Sequence, residues 1–417
     1  MHHKDKGLPV LRGIALILSF FLTTSGFAVE NWEFSGFATL GTSKHNRDGL
    51  KFGKTEDQWG LNTDSKIGLQ LQGDIIEHLS FTTQVSASGL NFYGKDQYEP
   101  ELQWLFLSYQ FAPEVRARLG RMRTAGYLYS ETRDVGYSYP WARPPIDVYV
   151  YLLQPLRNFD GADMNYTFDI GDDFVLDTHL FFGKLEGEIF NSDIDVNKMY
   201  GANLTFRTEG LQLRYSLHVE NSDITVPAYQ PLIDFYDPLI PLDPVFSDIQ
   251  RSLYAEDDDF YYHSVGLQWE FTTWAIISEA YKVDGPKDSF NIQTKGWYVS
   301  LLYYVDTFTP YVVLSGYDSK FNENQMSTLE QASQQYGFIP EVTELLDFTA
   351  DSFEAFSTKE RSYTLGMRYD FMPSADIKFE IQYIDFLNGS TGQGLMTNGT
   401  PPPDSATLYT ITLDVVF

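Results

Sequence analysis

The sequence predicts an all-β fold: a transmembrane antiparallel β-barrel of 16 strands, with short turns on one rim and long loops on the other. Three observations lead there. Apolar and polar residues alternate in segments of about ten residues, the pattern of a strand with one face on lipid and the other on water. The connections between these segments alternate short and long along the chain. Beyond residue 28 no apolar run approaches the ~18 residues that a membrane-spanning helix needs.

The first 28 residues are set apart from the fold as a signal peptide. Lys4, Lys6 and Arg12 form a positive leader, Ile14 to Leu22 is an apolar core, and Gly26-Phe27-Ala28 supplies the small residues a signal peptidase requires. Cleavage after Ala28 leaves residues 29–417 as a single barrel domain.

Sixteen strands follow, near 31–41, 63–75, 79–90, 101–111, 114–123, 159–169, 173–184, 197–207, 210–220, 259–270, 273–284, 292–305, 308–318, 359–371, 374–386 and 406–417. In the first, Trp32, Phe34, Ala38 and Leu40 alternate with Glu33, Ser35 and Thr39. In the second, Ile67, Leu69 and Leu71 alternate with Lys66, Gln70 and Gln72. The clearest case is Leu211, Leu213, Tyr215, Leu217 and Val219 against Gln212, Arg214, Ser216, His218 and Glu220. Tyr363, Leu365, Met367, Tyr369 and Phe371 against Thr364, Gly366, Arg368 and Asp370 is equally regular.

Tight turns are expected at 76–78, 112–113, 170–172, 208–209, 271–272, 306–307 and 372–373, and longer loops at 42–62, 91–100, 124–158, 185–196, 221–258, 285–291, 319–358 and 387–405. Short periplasmic turns and long extracellular loops are the layout of bacterial outer-membrane barrels. In the last strand Tyr409, Ile411, Leu413, Val415 and Phe417 share one face. A final strand of this kind resembles the signature by which barrel-assembly machinery recognises its clients. A closed barrel satisfies every backbone N–H and C=O without an open edge, and about 16 strands leave an aqueous channel where about eight do not.

Composition narrows the classes. Formal charge is −28, from 57 acidic and 29 basic residues, which is opposite to the balance a nucleic-acid-binding protein needs. Aromatics reach 16%, with 28 Tyr and 32 Phe, too many for an acidic disordered chain. There is no cysteine, so disulfides and thiolate-ligated metals are excluded.

Arg116–Arg123 (RARLGRMR) carries a Leu119-Gly120-Arg121 that resembles the Leu-Gly-Arg of many Gram-negative general porins at the end of their fifth strand. The resemblance extends over the layout of nearly the whole mature chain. It implies a trimer whose third loop, here 124–158, folds inward to narrow the pore. That loop has Tyr139-Pro140-Trp141-Ala142-Arg143-Pro144-Pro145 in place of the Pro-Glu-Phe-Gly common at the tip.

Alternation turns Arg116 and Arg118 towards the lumen, because a charge on the lipid face costs about 2–4 kcal/mol near the midplane. Arg121 and Arg123 have the other parity but sit where the strand leaves the wall, and are expected to bend inward. Lys66, Arg214, Arg368 and Lys378 are further lumen candidates, with Glu131, Asp134 and Asp147 as opposing loop carboxylates. Such a field would orient dipolar solutes and reject apolar ones; alternatively the arginines pair with local carboxylates in the wall. The loop aromatics Tyr127, Tyr129, Tyr137, Tyr139, Trp141, Tyr149 and Tyr151 offer either a sugar-contact surface, with Tyr137, Tyr139 and Trp141 foremost, or packing against the wall, stiffened by Pro140, Pro144, Pro145 and Pro155.

Trp32, Trp104, Tyr109, Phe111, Trp269, Phe271, Trp274, Phe308, Tyr369, Phe371 and Phe417 are expected to form an interfacial girdle near the turn rim. Carboxylates in 221–258, among them Asp234, Asp237, Asp243, Asp248 and the run from Glu256 to Asp259, read either as a solvated acidic loop or as holding divalent cations against lipopolysaccharide. An enzyme is disfavoured, since His45, His78, His179, His218 and His263 lie in no nucleophile or metal motif. The expected function is passive diffusion of small hydrophilic solutes and ions across the outer membrane, with no cofactor and no metal. A carbohydrate-selective porin, an outer-membrane enzyme and a purely structural barrel are the alternatives.

Overall fold

A computed structural model describes residues 30–48, 50–52, 55–61, 63–89, 98–149, 157–189, 192–390, 395–397 and 403–417. The expected leader at 1–28, Tyr151 and Pro155 lie outside the described residues.

The wall is a closed antiparallel barrel of 16 strands, each paired with its neighbours in sequence. They are β1 Glu30–His45, β2 Lys66–Ile76, β3 Leu79–Ser88, β4 Glu101–Ala112, β5 Val115–Arg123, β6 Asn158–Ile170, β7 Phe174–Ile189 and β8 Ser192–Thr208. Then follow β9 Leu211–Thr225, β10 Ala255–Glu270, β11 Trp274–Asp284, β12 Ile292–Tyr303, β13 Phe308–Phe321, β14 Thr358–Met372, β15 Ala375–Phe386 and β16 Ser405–Val416. Closure joins β1 to β16 in register from Phe37↔Val416 to His45↔Leu408, and Phe417 exchanges both backbone hydrogen bonds with Gly36 at 2.8 and 3.0 Å. No helix among the described residues is long and apolar enough to cross a membrane.

The wall is inverted relative to a water-soluble protein. On β14, Tyr363, Leu365 and Met367 are exposed on the outside, whereas Ser362 and Thr364 are buried inside. Leu119, Phe182 and Leu365 are each more than 60% exposed, a loss of burial that only a lipid solvent makes tolerable. Near the turn rim, rings stack outside the barrel: Phe271 on Trp274 at 3.8 Å and Phe308 on Tyr369 at 4.6 Å between centroids. Trp104 departs from the expected girdle. Unbroken alternation along the β3–β4 ladder sets it opposite the buried Gln84, just before a register shift, with its ring 6.2 Å from that of Phe106.

Three loops differ from expectation. The ladder of β7 and β8 continues past a register shift to Ile189 and Ser192, so 185–196 is mostly paired strand. The connections after β9 and β13 fold into helices: α2 Gln230–Tyr236 and α3 Pro244–Arg251 in one, α4 Glu323–Tyr336 and α5 Pro340–Glu354 in the other, with a single turn α1 Ile146–Tyr149 in loop three. Asp243 caps α3 by accepting from Val245 N at 2.9 Å, and Asn322 caps α4 by accepting from Asn324 N at 3.0 Å. The four longer helices share an apolar cluster that includes Tyr236, Phe246, Leu329, Leu346 and Phe353, continuous with Phe290 and Phe321. A further ribbon pairs Leu50–Phe52 with Leu395–Thr397, tying loop one to loop eight.

Candidate functional site

The candidate site is the lumen where loop three crosses it. The loop leaves the wall at Thr124, whose N–H donates to Arg157 O at 2.9 Å. From there it is held by an inward side chain of every strand from β9 to β16. Arg214 donates to Ala125 O at 2.6 Å, and Ser264 Oγ to Gly126 O at 2.6 Å. Glu279 accepts from Leu128 N at 2.7 Å, from Tyr298 OH at 2.7 Å and from Tyr149 OH. Trp141 Nε1 donates to Ser300 Oγ at 3.0 Å, and Ser315 Oγ to Asp147 Oδ2 at 2.6 Å. Arg368 donates to Tyr137 O at 2.9 Å, and Lys378 Nζ to Gly136 O at 2.6 Å. Arg143 Nη2 reaches Thr410 Oγ1 at 2.8 Å and Asp64 Oδ2 at 2.9 Å.

Gly136 permits the closest approach. A Cβ there would lie 1.7 Å from Asp414 Oδ1, so any side chain would lift the loop from the wall. Tyr127, Tyr139, Trp141, Val148 and Tyr149 form one buried cluster with Tyr262, Tyr281, Tyr298 and Tyr311 of the wall. Burying aromatic bodies while their polar tips find partners is what makes rings suited to seating a loop.

These contacts sort the candidate residues. Arg116 is exposed, and Arg118, Lys66, Arg214 and Arg368 are partly buried, all on the inward face. Arg118 lies between wall and loop: its Nε is 3.0 Å from both Asp163 oxygens, and its Nη2 is 2.5 Å from Asp163 Oδ2 and 3.3 Å from Glu131 Oε1. Lys66 Nζ donates to Tyr139 OH at 2.6 Å. Asp134 pairs with Arg123, and although burial pushes its carboxyl up, the Arg123, Arg157 and Arg133 charges hold it well below the usual carboxylate range.

Several expectations need correction. Arg121 does not bend inward. It sits on the outer face, bonded to Asp160 at 2.8 and 2.6 Å beside Leu102, Leu105 and Leu119, because the strand keeps its alternation to that point. Arg123 does turn in, but is buried with Asp134 and anchors the loop. Asp147 in the loop and Lys378 of the wall beneath it are fully buried, so neither lines an aperture. Tyr139 and Trp141 are 1% exposed and pack the loop, leaving no face for a sugar. Tyr137 is committed as well, donating to Pro373 O at 2.8 Å with the Arg368 guanidinium 4.7 Å over its ring.

Sequence reasoning missed the chain Arg118–Asp163–His179–Asn203. His179 Nε2 is 2.8 Å from Asp163 Oδ2 and Nδ1 is 2.9 Å from Asn203 Nδ2. The same alternation that picked inward arginines would have found Asp163, had inward carboxylates been counted too. No metal-binding cluster of His, Asp and Glu occurs among the described residues.

No family model and no curated protein matches the chain. Solved structures do. An anion-selective porin from Comamonas acidovorans is 11% identical, with 93% of this chain and 99% of that one covered at a TM-score of 0.57. A Salmonella typhi OmpF complex with daunomycin is 10% identical over 93% and 98%, at 0.53. A trimer form of OmpT, an outer-membrane protein of Vibrio cholerae, is 12% identical over 93% and 99%, at 0.51. With every strand paired around a closed ring of 16 and an inverted wall, the chain has the fold of the Gram-negative outer-membrane porins.

Proposed function

We propose that the protein is an outer-membrane porin through which small hydrophilic solutes and ions diffuse passively, without energy coupling, cofactor or catalysis. The observation that carries this is the uneven seating of loop three. The described part of the loop is held by a side chain of every strand from β9 to β16 and, on the other side, by Lys66 of β2 and Arg118 and Arg123 of β5, so the route for solute runs past these fewer contacts beside the inward faces of β2–β7. Arg116, Arg118, Gln70, Gln72 and the half-exposed Glu131 are the side chains we assign to that route. Polar and charged lining of mixed sign favours hydrated solutes over apolar ones. A carbohydrate-selective slide finds no support here, because Tyr139 and Trp141 are consumed in packing.

The same reading implies export by a cleaved leader, recognition of Phe417 by barrel-assembly machinery, and contact with outer-membrane lipid and lipopolysaccharide. It also implies a homotrimer, as one protein of this fold is known in a trimer form. Planar-bilayer recording tests the core of the proposal. Purified protein is expected to insert with stepwise, ohmic increments of current that scale with bulk electrolyte conductivity. Folded protein that inserts but carries no current would leave a structural barrel as the better account.

A further inference from the structure

We infer that the helical cap formed by the connections after β9 and β13 is a docking surface for a basic amphipathic polypeptide segment. The inference rests on the outer-membrane reading only for which way the cap faces. Its anchor points are Leu242 and Phe338, the two most exposed large apolar side chains described anywhere in the chain, at 70% and 79%. Neither belongs to the lipid-facing wall. Leu242 lies in the connection between α2 and α3, and Phe338 in the turn between α4 and α5. Phe321 at the end of β13 stacks on Phe353 near the end of α5 at 3.8 Å. Both helices are therefore rooted at the wall, and the turn is their far end, about 21 Å along α4. Asp243 joins the two connections, accepting from Tyr336 OH at 2.8 Å and from Gln335 Nε2 at 3.0 Å, while the Phe246 and Tyr336 rings pack at 4.9 Å. Leu242 N donates to Leu239 O and Ile339 N to Tyr336 O, each at 2.9 Å. The backbone beside both anchors is thus fixed before a partner arrives, which lowers the ordering cost of association. Apolar surface left in water and rimmed by polar groups marks an interaction site.

Charge decides what covers the anchors. Residues 227–254 and 323–354 carry eleven carboxylates and one cation, Arg251, which is itself 2.7 Å from Asp258. On α5, Glu341, Glu344 and Asp351 share an exposed face with Phe348, at helical steps of three and four residues. None of these three carboxylates makes an ion pair among the described residues. Like charges at that spacing weaken a helix, so the row is unbalanced until cations arrive. Phe338 and Phe348 are ten residues apart, about 15 Å along the helix axis, or about three turns of a second helix. A segment with apolar side chains on Leu242, Phe338 and Phe348, and lysines or arginines on the carboxylates, satisfies both halves of the surface. A second copy of this chain does not, because a symmetric contact would set the same carboxylates against each other.

The test titrates the purified full-length protein, in non-ionic detergent, into a fluorescently labelled amphipathic helix of leucine and lysine, with empty micelles as the blank. About 14 residues suffice to span the anchors at about 1.5 Å per residue. Two comparison peptides replace every lysine by glutamate or every leucine by serine. Wild type is expected to bind the leucine–lysine peptide about tenfold more tightly than either comparison, a margin of about 1.4 kcal/mol. Leu242→Ser/Phe338→Ser should lose that margin with an unchanged heat-modifiable gel shift. Glu341→Gln/Glu344→Gln/Asp351→Asn should lose it too, together with its decline as salt is raised. Equal binding by wild type and both variants, or equal binding of the leucine–lysine and serine–lysine peptides, would overturn the surface. So would an assembly mass that falls in Leu242→Ser/Phe338→Ser, which would give the anchors to a second copy. Bilayer conductance of the same preparations separates the two readings. Absent peptide selectivity with normal conductance refutes the surface alone, whereas absent conductance with peptide selectivity intact refutes the channel alone.

Discussion

Arg118→Gln is the sharpest probe of how the proposed route treats charge. Arg118, Asp163 and Glu131 form one cluster of net charge −1, which becomes −2 when the guanidinium is replaced by an amide. Near that cluster, one added negative charge changes the energy of a small ion 4 Å away by about 1 kcal/mol in water-like surroundings. The change favours a cation and disfavours an anion, so the two effects together approach 2 kcal/mol, reduced by screening over a Debye length of about 10 Å at 0.1 M salt. With 1.4 kcal/mol per factor of ten, the cation-over-anion permeability ratio should rise about tenfold. Glu131→Gln, which takes the cluster to zero, should move the ratio the other way by a similar factor. The assay is the reversal potential across a planar bilayer under a potassium chloride gradient, with the heat-modifiable gel shift of a folded barrel as control. Asp163 keeps His179 as a partner at 2.8 Å in the variant, which limits the damage to the wall. A ratio unchanged within twofold in both variants would refute the assignment of this cluster to the narrowest part of the route.

Arg143 and Asp64 are an ion pair with side chains 6% and 3% exposed, so Arg143→Ala leaves a buried carboxylate unpaired at a cost of about 3–5 kcal/mol. The expected result is a lower urea midpoint in vesicles together with more frequent channel closures; an unchanged midpoint would show that loop three does not depend on this anchor. On the lipid face, Leu365→Arg should destabilise the barrel by about 2–4 kcal/mol, whereas the inward Gln72→Arg should cost far less. Equal costs in the same folding titration would contradict the inverted wall. For Asp134 the folded pKa is depressed, because the Arg123, Arg157 and Arg133 charges outweigh its burial. Its contribution is therefore fully present above about pH 4 and is lost as pH falls through the lowered value. Closure frequency should stay flat from pH 8 to 5, and a rise in that window that Asp134→Asn abolishes would reverse the sign of the argument.

Strand number and wall polarity were legible because both rest on a period of two, and one residue of slip would turn every side chain to the wrong face. Helices α2–α5 were not legible to the same reading, which searched only for alternation. Their signals were nonetheless present: Asp243-Pro244, Asn322 and Pro340 mark helix starts, and Val342, Leu346 and Phe353 recur at helical spacing. The extended β7–β8 hairpin was hidden for a different reason. Above the membrane both faces meet water or loops, so the outward residues Glu186, Asp193 and Asp195 read as loop composition although the ladder continues through them.

The site was legible in parity and illegible in partnership. Alternation could say that Arg118, Lys378 and Arg368 point inward, but not that Lys378 would be spent on Gly136 O and Asp414, or Arg368 on Tyr137 O and Asp370. An inward charge acts on a solute only if no nearer group of the chain neutralises it. Along β9–β16 loop three supplies that nearer group at strand after strand, whereas Arg116 on β5 is exposed and has no ion pair among the described residues. The total of inward charges therefore overstates the field along the proposed route, and that proposal assigns selectivity to the few side chains opposite the loop's free edge. Exchanging residues buried between loop and wall, such as Lys378 or Asp147, should change how firmly the loop sits, whereas exchanging Arg116, Arg118 or Glu131 should change which ions pass.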